Sequence, residues 1–132
     1  MTEATTATSA PFELLGGRDG VAAIVDRFYD LMDTQPAFAE LRAMHGADLT
    51  PMRHSLTGFL TAWVGGPRDW FLDHPNSCMM SAHARLGVTS RTADQWLMAM
   101  AAALRDTGVS EDLANRLEAA FAPMTNAMIA RA

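Results

Sequence analysis

His83, Tyr29 and Trp96 carry the most specific chemistry in this chain. A neutral imidazole ligates iron through one ring nitrogen, and it is the usual ligand on one side of the iron in oxygen-binding haem proteins. A phenol O–H and an indole N–H each place a single donor at the end of an apolar body, and both seek a partner when buried. Set on the far side of a metal from His83, these donors would stabilise a polar ligand such as dioxygen more than carbon monoxide. Plainer roles are open to all three. A lone histidine beside Met79, Met80, Leu86 and Val88 is commonly structural, Tyr29 can bond a backbone carbonyl, and Trp96 can simply fill core. Composition does not single out His83 from His45, His54 and His74.

Other chemistries leave little trace. Cys78 is the only cysteine, so no internal disulfide forms and no Cys-x-x-Cys-His run attaches a haem covalently. Cys78 as thiolate, or one of the 10 methionines, is a conceivable iron ligand, but methionine is also a common filler of irregular cores. The Glu-x-x-His pairs of di-iron bundles, the glycine-rich phosphate loops and the serine elbow are all missing.

The elements that must position these residues read as helical throughout. Val21, Ile24, Val25, Phe28 and Met32 recur at three- and four-residue steps, predicting a helix over about 18–33 with Tyr29 on the flank of its buried face. A short helical turn at 11–15 precedes it, stopped by Gly16-Gly17. Phe38, Leu41 and Met44 suggest a short helical piece ending near His45-Gly46. The next helix starts about Thr50, with Thr50 as expected cap, and Met52, Leu56, Phe59, Leu60 and Trp63 as its buried stripe. Gly65-Gly66-Pro67 ends it. After an irregular stretch from Pro67 to Val88, Thr89 or Ser90 caps a helix striped by Ala93, Trp96, Leu97, Met100, Ala101 and Leu104. Ser110 opens the last helix, whose apolar face runs from Leu113 to Met128. No stretch alternates with period two, so the class is all-α with four substantial helices. Bundle connections usually run about 2–8 residues; the longer segment before His83 suits a chain that wraps a ligand.

A chain of 132 residues suits one domain, burying roughly 65–70% of its unfolded surface. The expected division is a disordered leader at 1–10 and a single domain over 11–132. Net charge is −5 with basic residues scattered singly, so nucleic-acid binding is not expected. Neither a membrane span nor a signal peptide is legible, and a cytoplasmic location is expected.

With those residues in place, the chain resembles the truncated haemoglobins of group II over about residues 11–130. The marks are Gly16-Gly17, Phe28-Tyr29, Leu31-Met32-Asp33-Thr34-Gln35-Pro36, and Phe59-Leu60 followed by Trp63 and Gly65-Gly66-Pro67. They continue with His83 and with Trp96 in the setting Asp94-Gln95-Trp96-Leu97, the mark most specific to the group. The resemblance implies a globin-like, truncated two-on-two helical sandwich holding haem b. His83 would be the iron ligand. Phe28, Tyr29, Trp96 and His45 would face the bound ligand, with Tyr29, Trp96 and His45 as donors. Met52 would occupy the distal position, with Leu56, Phe59 and Leu60 packing the distal side, while Met79, Met80, Leu86 and Val88 would line the proximal face. Ala82 stands where the family usually carries arginine, and Leu86 where phenylalanine is usual. Arg85, Arg53 and His54 are then the candidates to hold the haem propionates.

The function this implies is high-affinity binding of dioxygen and other diatomic ligands with slow release. Redox chemistry or sensing would suit such a protein better than bulk transport. A rival is enzymatic: peroxidase, or nitric-oxide dioxygenase fed by an external reductase. A third reading is a haem-free helical interaction module.

Overall fold

The computed structural model describes residues 11–69 and 87–129. Among them are four helices of fourteen residues or more, and no strand. The expected leader, residues 1–10, lies outside the described residues, as do 70–86 and 130–132.

A short α1 (Pro11–Leu14) leads into α2 (Gly17–Thr34). Gly16 and Gly17 carry the turn between them at φ +98° and +71°, where a side chain would be strained. Val21, Ile24, Val25, Phe28, Tyr29, Leu31 and Met32 are all buried, so the periodic stripe seen in the sequence is the core face of α2. A 3₁₀ turn (Pro36–Phe38) and α3 (Ala39–Ala43) follow.

The start of α4 (Thr50–Trp63) departs from expectation. Thr50 is the first helical residue and not its cap, because Leu49 before it is already near helical geometry at φ −85° and ψ −6°. An N-cap needs extended backbone. Asp48 does the capping instead, its Oδ1 accepting the Thr50 N–H at 3.0 Å. That contact holds the Asp48 carboxyl below its ordinary pKa.

Thr89 caps α5 (Ser90–Asp106) through a reciprocal box with Thr92, and Ser110 caps α6 (Glu111–Ala127) by accepting the Leu113 N–H. Arg105, at the end of α5, reaches Glu111, Asn115 and Glu118 of α6. The long helices pack α2 on α4, α2 on α5 and α5 on α6. This is the two-on-two sandwich, with one layer α2/α4 and the other α5/α6. Its core is one continuous cluster running from Val21 to Phe121. No helix of the described residues is long and apolar enough to cross a membrane.

Candidate functional site

Phe28 sits where the two layers meet, fully buried at 0% exposure. Its neighbour Tyr29 meets it edge-on at 4.9 Å between ring centroids, and Trp96 of α5 meets it at 5.3 Å and 61°. The row continues through Phe121, which lies 5.2 Å from Trp96 and stacks on Trp63 at 4.7 Å. Tyr29 in turn faces His45 at 5.9 Å and 80°. Phe28, Tyr29, His45 and Trp96, predicted from the sequence to face a common ligand, therefore form one contiguous cluster drawn from three separate parts of the chain.

Tyr29 is 3% exposed, yet its hydroxyl has no hydrogen-bond partner among the described residues. Burial pushes its pKa up to about 12, against the smaller opposing pull of the Arg53 charge. It is thus a neutral phenol, able to donate. Trp96 is part-buried, and its indole N–H likewise makes no hydrogen bond among the described residues. Neither donor is among the fully buried side-chain atoms without a hydrogen bond, which in the described residues are Thr61 Oγ1 and Glu118 Oε2.

His45 is held differently. Its Nδ1 lies 2.9 Å from the Leu41 carbonyl. A carbonyl only accepts, so Nδ1 carries the proton, and in the neutral ring Nε2 is the accepting nitrogen. One of the two His45 ring nitrogens is thus engaged by the backbone. Arg42 braces the same loop, donating to the Gly46 and Ala47 carbonyls at 2.9 and 3.2 Å and to Asp33 at 2.9 Å.

Helix α4 supplies the apolar wall. Met52, Leu56, Phe59 and Trp63 recur at steps of four, three and four, so they share one face. That face is not the fully buried one the sequence suggested. Met52 is 40% exposed, and Leu56, Phe59 and Trp63 are only part-buried, packed against the edge of the core. The buried direction of α4 lies round the helix at Leu60 and Val64. The sequence pattern merged two adjacent stripes, one closing the core and one half-open.

Val88 is buried just before α5. Residues His83, Met79, Met80, Arg85 and Leu86 lie outside the described residues. Of the propionate candidates within them, His54 is exposed. Arg53 is engaged by Asp26 and Asp30, which are spaced one turn apart on α2.

A two-on-two helical sandwich with an aromatic cluster at the meeting of its layers, beside a half-open apolar wall, defines a globin fold. The chain belongs to the bacterial-like globin family, whose profile matches residues 10–130, and within it to the group II truncated haemoglobins. It is 30% identical over 122 residues to the group 2 truncated hemoglobin YjbI of Bacillus subtilis, covering 89% of each chain. It superposes on the cold-adapted truncated hemoglobin of the Antarctic marine bacterium Pseudoalteromonas haloplanktis TAC125 with a TM-score of 0.89. Identity there is 30%, over 94% of this chain and 100% of that one. The solved structure of truncated oxygen-avid haemoglobin from Bacillus subtilis gives a TM-score of 0.81 at 25% identity, over 92% of this chain and 99% of that one.

Membership of this family implies haem. The residues present fit that group: a neutral phenol and an indole N–H without a hydrogen-bond partner among the described residues, beside the apolar row of α4.

Proposed function

We propose that this protein binds haem b through His83 and holds dioxygen, or another diatomic ligand, with high affinity and slow release. The observation that carries this reading is Tyr29, a buried residue whose hydroxyl has no partner among the described residues, ring to ring with Phe28 and through it with Trp96. The oxygen-avid relative supports it.

Haem, when bound, supplies the iron at which a diatomic ligand is held. The chain's own residues do the rest. Tyr29 donates its O–H and Trp96 its N–H to the ligand, while Phe28 fixes the angle between the two rings. His45, its Nδ1 bonded to the Leu41 carbonyl, lies edge-on to the Tyr29 ring and packs against it from the side. Met52, Leu56 and Phe59 exclude water from the distal side, Val88 belongs to the proximal side, and Met79, Met80, Leu86 and Arg85 would complete the proximal lining. Buried hydrogen bonds contribute about 1–2 kcal/mol each. Two such donors slow release by roughly thirty- to a thousandfold, given about 1.4 kcal/mol for each factor of ten. Slow release suits ligand chemistry or sensing, with an external reductase as partner, in the cytoplasm.

Absorption spectra of the ferric, ferrous and carbonyl forms, beside those of His83→Ala, test the proposal. A haem spectrum that persists unaltered in His83→Ala, or protein that stays colourless when offered hemin, overturns it.

A further inference from the structure

Arg53 is the second charged link between the distal elements and has no place in the scheme above. It follows Met52 in the first turn of α4, and its side chain lies across α2. Nη1 donates to the backbone carbonyl and to Oδ1 of Asp26, both at 3.1 Å, and Nη2 donates to Oδ1 of Asp30 at 3.0 Å. Asp26 and Asp30 bracket Tyr29 along the helix. The guanidinium carbon lies 5.6 Å from the centroid of the Tyr29 ring, within the range of a cation–π contact.

We propose that Arg53 is the positioning residue for Tyr29: forked between Asp26 and Asp30, it clamps α4 to α2, holds the phenol ring in place, and strengthens the Tyr29 O–H as a donor to the site's ligand. The last clause rests on the reading of Tyr29 as a ligand donor. The physical argument has two parts. A planar guanidinium with three oxygen acceptors in a fixed fork has little freedom to move, so the ring beneath it is confined from one side. A cation over the ring also withdraws electron density from the phenol oxygen, and a more acidic O–H donates more strongly. The charges act in the same sense. The Arg53 charge acts to lower the Tyr29 pKa, and although partial desolvation lowers the Arg53 pKa, its bonds to Asp30 and Asp26 outweigh that and hold it above its usual value. Among the described residues, the groups facing Tyr29 are Arg53 from α4, His45 from the loop after α3, and Phe28 from its own helix.

The sequence offers a clean probe, because Tyr29 is the only tyrosine in the chain. Growth with a ring-fluorinated tyrosine labels that position alone, and fluorine NMR then follows its ionisation in the full-length protein at a pH where it is folded. Arg53→Met is expected to move the ionisation up by about half to one pH unit. Arg53→Lys keeps a charge and moves it less. Oxygen release, measured on the same proteins with haem, is expected to quicken about threefold or more in both variants, since both lose the fork. Asp30→Asn, which removes one anchor and leaves the charge, changes release in the same direction by less, and serves if Arg53→Met does not fold. Unchanged ionisation in Arg53→Met, or unchanged release together with unchanged ionisation in Arg53→Lys and Asp30→Asn, overturns the proposal. A shifted ionisation with unchanged release upholds the hold of Arg53 on Tyr29 and instead removes Tyr29 from the ligand's donors, the reading beneath it.

Discussion

The Gln95 side-chain carbonyl accepts the Leu41 backbone N–H at 3.0 Å, tying the helix that carries Trp96 to the one that precedes His45. Leu41 then accepts from His45 through its own carbonyl, so one residue relays the position of α5 to the distal histidine. Gln95→Ala leaves a part-buried N–H without its acceptor, at a cost of about 1–3 kcal/mol. Chemical denaturation should show that loss. The nitrogen shifts of the His45 ring should also lose the signature of a protonated, hydrogen-bonded Nδ1. A variant that unfolds more easily while its His45 signals stay put would show that Leu41 does not relay the position.

Alkaline stability should depend on Tyr29. Its pKa is raised from 10.0 to about 12, so folding favours the protonated phenol. The associated stability is fully present below pH 10, where tyrosine in the unfolded chain is also protonated. It is lost progressively as pH rises toward about 12. Two units correspond to roughly 2–3 kcal/mol. Unfolding by denaturant across this range should show the decline in the wild type and a flatter profile in Tyr29→Phe. Equal slopes in both would place the loss on other groups.

Trp96→Phe keeps an aromatic ring against Phe28 and Phe121 but removes the indole N–H. Oxygen should leave this variant roughly ten times faster or more, as expected for one buried hydrogen bond. Melting temperature should fall little, because most of the ring packing survives. Stopped-flow displacement of oxygen by carbon monoxide measures the rate. A rate within twofold of wild type would mean that Trp96 is only a wall of the pocket.

Periodicity made the helices legible before any coordinates. Phe28 and Met32 had to be on one face, and Thr89 or Ser90, and Ser110, were marked as caps, because those are local rules; Thr89 and Ser110 are the ones that cap. Residue type alone left Tyr29 and Trp96 open to plainer roles as core residues; what the structure adds is that both rings meet Phe28. What local rules could not reach was contact across the sandwich. Nothing in the sequence near Arg53 says that its charge is met by α2; the one-turn spacing of Asp26 and Asp30 makes sense only once α4 lies alongside. Met52 was placed on a buried stripe because its spacing matches that of Leu56 and Phe59. Helical spacing gives the face but not what covers it, and Met52 is 40% exposed. The cap at Asp48 was missed because the chain begins to coil at Leu49, one residue before the proline-marked turn.

The turn after α4 should be intolerant of even one methyl group. Gly66 donates its N–H to the Thr61 carbonyl at 2.8 Å, folding the chain back under the helix end. A Cβ there would stand 2.6 Å from the Phe12 ring and 2.8 Å from the Thr61 oxygen. Phe12 cannot simply swing away, since its backbone N–H is bonded to the Val64 carbonyl at 2.9 Å. Its ring also packs on the core. Relief would require moving α1 or opening the turn, and overpacking of this kind costs about 1–3 kcal/mol. Gly66→Ala should therefore lower the melting temperature by several degrees, roughly 4 °C for each kcal/mol in a domain of this size. Phe12→Leu in the same background should recover part of that loss by removing the ring edge that the new methyl strikes. If Gly66→Ala melts like the wild type, the turn relaxes without strain and the close packing of α1 against it contributes nothing.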